Sequence, residues 1–123
     1  MTIRRFVVPV VTDGSGDAEE YTPVFSGTLI SIRYVKTDYA SGVDFELTSE
    51  ASGEGLWSEE DVNSSATRYP RTVSQDTSGA DALYADMGVE VLTKIALAHD
   101  RVKIVVASGG DTKTGAFHVT IDG

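Results

Sequence analysis

The chain has no cysteine, only two histidines, three prolines and one tryptophan in 123 residues. Without cysteine there are no disulfides, no thiolate metal sites and no cysteine nucleophile. Two isolated histidines, His99 and His118, offer no zinc-ligand spacing. Basic residues are also scarce: 10 Lys and Arg stand against 19 Asp and Glu, a formal charge of −9. Such a molecule is repelled by phosphate backbones unless a local basic patch intervenes, and none is visible along the sequence, so nucleic acid is not expected as a partner. Apolar runs are too short to span a bilayer, so no membrane anchor is expected. The opening Met1-Thr-Ile-Arg-Arg5 leads into a brief apolar run broken by Pro9 rather than a secretory signal, which predicts folding in a cytoplasm.

What is present is period-two alternation, repeated down the chain and punctuated by glycine, aspartate, serine and asparagine. This predicts a single all-β domain over residues 1–123, an antiparallel β-sandwich of about seven or eight short strands with at most one short helix. Ile3 to Val11 carries Pro9, so residues 1–12 read as an extended arm or an edge strand. The turn Asp13-Gly-Ser-Gly-Asp17 is expected to fold Glu19 to Phe25 back on that first strand. Thr28 to Lys36 reads as a central strand with Ile30, Ile32 and Tyr34 on its dry face. Val43, Phe45 and Leu47 alternate with Asp44, Glu46 and Thr48, and a second hairpin through Gly53 and Gly55 leads to Leu56-Trp57, ending before Glu59-Glu60-Asp61. Asn63 to Met87 reads as a long excursion, with one or two helical turns over Ala80 to Met87. Val89 to Leu97 and Arg101 to Ala107 belong to the core, and a third hairpin through Ser108-Gly109-Gly110-Asp111 brings in Phe117, Val119 and Ile121.

Each chemical signal has a plainer counterpart. Asp13, Ser15 and Asp17 set oxygens at alternating positions, as in the first part of a calcium loop, but the later bidentate glutamate and the flanking helices are missing, so the segment reads as a turn. His99 and His118 are not placed beside a nucleophile by any motif. Glu59, Glu60 and Asp61 lack a second acidic cluster to pair with as in a glycosidase, and Gly109-Gly110 lacks the lysine and helix of a phosphate loop. No catalytic residues, cofactor or enzyme activity are therefore expected. Among the aromatic residues, Tyr34 reads as core, whereas Tyr39, Tyr69 and Tyr84 fall in turns or loops and read as exposed contacts. With Arg4, Arg5, Arg68 and Arg71, the residues Tyr69 and Tyr84 form the candidate partner-binding set, since arginine and tyrosine are preferred at interfaces.

The phrases Leu29-Ile-Ser-Ile-Arg-Tyr-Val-Lys36, Ala40-Ser-Gly-Val-Asp-Phe45, Ser65-Ala-Thr-Arg-Tyr-Pro-Arg71 and Arg101-Val-Lys-Ile-Val-Val-Ala-Ser-Gly-Gly110, leading to Lys113-Thr-Gly-Ala-Phe-His-Val119, cover most of the chain. In them it resembles a group of small proteins encoded among the structural genes of tailed bacteriophages and prophages. The resemblance implies a virion component, made in the bacterial host cytoplasm, and carries over no functional residues. A small acidic β-domain suits a decoration or cement protein on the outside of the major capsid shell, with the major capsid protein or another virion protein as partner and homo-oligomers in the particle. The alternative is a tail, neck or fibre module binding a host glycan or another virion protein.

Overall fold

The computed structural model describes residues 2–85 and 88–123, and among them it has ten strands and no helix. Two antiparallel sheets pack face to face, as the alternating pattern requires. The larger sheet holds β1 (Ile3–Val11), β3 (Phe25–Lys36), β6 (Ala66–Arg68), β7 (Arg71–Val73), β8 (Leu92–Asp100) and β10 (Thr114–Asp122). Its order is β1-β10-β3-β8-β7, with β6 also pairing β3. The smaller sheet runs β2 (Ala18–Tyr21), β9 (Val102–Ala107), β4 (Val43–Ser49) and β5 (Gly55–Val62).

The residues that alternate inward fill the space between the sheets. Ile32, Val43, Phe45, Leu47, Val102, Ile104, Val106, Phe117 and Val119 are all buried, as expected. Ile30 is not. Ser31 pairs with Thr120 but Leu29 pairs with Ile121, so Ile30 is the extra residue of a β-bulge. The bulge turns the face over, and Leu29 enters the core in its place. Tyr34 lies at the centre of an aromatic cluster, with ring centroids 5.0 Å from Phe45, 5.3 Å from Phe117 and 6.1 Å from Tyr39.

Three expected hairpins resolve differently. Only β4 and β5 form one, and β5 runs on through Glu59, Glu60 and Asp61, which are strand residues rather than a turn. β2 pairs with β9 in the opposite sheet instead of returning on β1, and β10 pairs with β1 and β3 instead of β9. In each case the glycine-bearing connection carries the chain from one sheet to the other. The first strand is an edge strand and no arm, pairing with β10 along its whole length. Thr12 donates its N–H to Lys113, so even-numbered residues face β10 and Pro9 faces the open edge, where a missing donor breaks no ladder bond.

The excursion from Asn63 is β-like as well. Gln75 bridges Asp81 and Leu83 bridges Glu90, which excludes the expected helical turn over Ala80 to Ala85; Asp86 and Met87 lie outside the described residues. The cause is local turn chemistry. Asp76 accepts the N–H groups of Ser78 (2.9 Å) and Ala80 (3.1 Å) on Oδ1 and donates its own N–H to Ala80 (3.0 Å), with Gly79 at φ 86°. Asp13-Gly-Ser-Gly-Asp17 repeats that pattern: Asp13 Oδ1 accepts from Ser15 (2.8 Å) and Asp17 (3.1 Å), its N–H reaches Asp17 (2.9 Å), and Gly16 sits at φ 84°.

Candidate functional site

Both sheets bury one face, so whatever the molecule recognises must use the outer faces, the edges or the loops. In the larger sheet, strand register turns Arg5 and Val7 of β1, His118 and Ala116 of β10, Arg33 and Val35 of β3, and Lys94 of β8 outward. The strands of this sheet carry Arg4, Arg5, Arg33, Lys36, Arg68, Arg71 and Lys94, against the acids Asp100 and Asp122 alone. The smaller sheet is its opposite: Glu19, Glu20, Asp44, Glu46, Glu59, Glu60 and Asp61 against Lys103. Its outer face holds two shallow depressions, of about 490 and 160 Å³, that share the apolar floor of Val105 and Ala107. Glu19 with Asp17 rims one, and Asp44, Glu46 and Glu60 rim the other.

The expected partner-binding residues do not form one site. Arg68 is held within the chain: its Nε donates to Glu59 at 2.7 Å and its guanidinium lies 5.5 Å from the Trp57 ring, while Trp57 Nε1 also donates to Glu59 at 3.0 Å. This cluster ties β6 of one sheet to β5 of the other. Arg71 donates to the carbonyls of Pro70 (2.7 Å) and Ile30 (3.1 Å), so it braces the bulge of β3. Arg4 lies 5.6 Å over Phe6, and Arg5 is exposed on the outer face. Tyr69 and Tyr84 are 64% and 77% exposed. They share the β6–β8 excursion with exposed Leu83, Val89 and Leu92. Tyr39 is a correction: it is buried, its hydroxyl donates to the Val10 carbonyl at 2.7 Å, and its ring covers Gly115.

The other candidates are spread apart. The Asp13 carboxylate is taken up by its own turn, whose backbone bonds to Asp17 and Ser15 hold it below the ordinary aspartate range. That turn is itself anchored, since Gly109 donates to Gly16 and Thr112 to Asp13. Among the described residues no group of three His, Asp or Glu side chains is arranged to hold a metal. His99 and His118 lie on β8 and β10 with β3 between them. No protein-family model matches the chain, and a search of curated proteins finds no match.

The most constrained carboxylate was not anticipated. Asp100, buried at the sheet-switching corner between β8 and β9, accepts the Ser49 hydroxyl and the N–H groups of Arg101 (2.7 Å) and Ala51 (3.0 Å). Burial opposes its ionisation, but these three donors outweigh it and hold the carboxyl below its ordinary range. Both of its oxygens are engaged by donors of the fold, which makes it structural. The sequence signal was present only as an Asp at the end of an apolar run.

Proposed function

We propose that the chain is a non-enzymatic structural subunit of a tailed-phage particle, a decoration or cement protein bound to the outside of the major capsid shell. The observation that carries this reading is the set of exposed apolar side chains along the excursion, Leu83, Tyr84 and Val89 held side by side at one end and Tyr69 standing apart, none of which belongs to the core. Exposed large rings and aliphatic side chains are what a protein partner buries. The resemblance to phage structural proteins supplies the partner class. Arg68 and Arg71 drop out as anchors, because both are engaged within the fold.

Quantifying and locating the chain in purified particles tests this. Many copies on the shell support decoration, and a few copies at the tail or fibre would favour the glycan-binding alternative. Tyr69→Ala with Tyr84→Ala should abolish attachment while leaving the melting temperature unchanged. Full attachment of that variant would sink the assigned surface.

A further inference from the structure

The two outer faces of the sandwich are opposite in charge, which points to a partner already on the page. We propose that the molecule associates with a second copy of itself head to tail, the outer face of the larger sheet in one copy seating on the outer face of the smaller sheet in the next. Arg33 is central on the first face, on β3 beside His118, and exposed. Glu46 is central on the second, on β4 between Val105 and Ser58, also exposed. Around each centre the pattern is complementary: Arg5, Lys94 and the apolar Val7 and Ala116 on one side, Glu60 and the Val105–Ala107 floor on the other.

Electrostatics allow it, and size makes it a weak contact. The smaller face limits the contact: its four strands, of 4 to 8 residues, at ~4.8 Å spacing and ~3.3 Å per residue give roughly 400 Å². This is about half of the ~800 Å² that one partner contributes to a standard interface, the size of a weak contact that fills as concentration rises. The net charge of −9 repels copies at long range. That repulsion is screened beyond about 8 Å at physiological salt, whereas the opposed charges at the contact lie closer than this. Two different faces make a heterologous contact, which closes into a ring if the rotation permits and continues as a stack if it does not.

This inference does not rest on the particle reading, and its test uses the isolated full chain. The variants are Arg5→Glu with Arg33→Glu, which spoils only the basic face, and Glu46→Lys with Glu60→Lys, which spoils only the acidic face. Their melting temperatures should match the parent; if a reversal unfolds the chain, Arg5→Ala with Arg33→Ala replaces it. In sedimentation velocity the parent mass should rise with concentration beyond two copies. Each variant alone should stay monomeric. A mixture of the two should associate again, since the intact acidic face of one variant meets the intact basic face of the other and the two reversed faces also complement each other. A parent that stays monomeric, variants that associate as the parent does, or a mixture that fails to pair each overturns the proposal. So would a monomeric parent whose basic face retains duplex DNA, which would assign that face to phosphate.

Discussion

Two stacked tyrosines show how much one hydroxyl depends on its surroundings. Tyr34 is fully buried and its hydroxyl meets no partner among the described residues, while Tyr39 donates to Val10. An unpaired buried hydroxyl is a net loss and a paired one a net gain of order 1 kcal/mol. Tyr34→Phe should therefore leave stability unchanged or raise it by up to ~1 kcal/mol, while Tyr39→Phe should lower it by about 1 kcal/mol, both read by urea denaturation. Burial pushes the Tyr34 hydroxyl up to about 12 and raises Tyr39 in the same direction. Above pH ~10 the unfolded tyrosines lose their protons while the folded ones keep them, so stability should fall as pH rises from about 10 to 12. The Tyr34→Phe variant should lose less over that interval. Phe45, in contact with Tyr34, Trp57 and Phe117, should cost ~3–5 kcal/mol on change to alanine.

The twin Asp-x-Ser-Gly turns separate backbone strain from packing at the scale of an element. Gly79 has open space where a Cβ would point, so Gly79→Ala meets only the left-handed backbone, a penalty of roughly 1–2 kcal/mol. Gly16 has the same conformation, but a Cβ there would lie 3.1 Å from the Gly110 nitrogen. Gly16→Ala should therefore be the more destabilising of the two in thermal melts, because it also pries apart the loops that join β1 to β2 and β9 to β10. The Asp100 corner gives an acid counterpart. Its folded carboxyl titrates below the unfolded value of about 3.9, so its contribution is present above pH ~4 and lost as pH falls through the folded value. Ser49→Ala should shift the acid unfolding midpoint upward, towards neutral pH. The Asp13 turn was legible as a turn from its residues, but the sheets it connects were not, since a turn's chemistry sets its own geometry and not the neighbour the next strand finds; the Asp76 turn lay unread inside the long excursion.

Across the whole molecule, β1 completes the larger sheet rather than extending from it. Val8 and Val10 are buried, β10 is paired to β1 from Ile3 to Val11, and Tyr39 binds the Val10 carbonyl. Deleting residues 2–11 should therefore abolish cooperative unfolding rather than leave a stable domain that merely fails to attach; a sharp melt near the parent temperature would show the strand to be dispensable. Charge is also partitioned at this scale. Acids and bases alternate without obvious order along the chain, yet the fold sorts them by sheet, since residues that are neighbours in one sheet come from strands far apart in sequence.

The sequence by itself determined the class of fold and most of the core. Alternation with period two is a local property of the strand, so Val43, Phe45, Leu47, Phe117 and Val119 could be placed inside from their spacing alone. It also determined the Asp13 turn, whose hydrogen bonds close within five residues. Only the tertiary structure decided strand pairing, because a sheet partner is chosen by contacts between distant segments. It decided the bulge that exchanges Ile30 for Leu29, which depends on the register against β10. It decided too that Tyr39 lies inside, covered through its contact with β1 and β10, and that Arg68 and Arg71 brace the fold while Arg33 and Glu46 stand at the centres of two opposed faces. Those outcomes turn on which strands become neighbours, and no local pattern of residues carries that information.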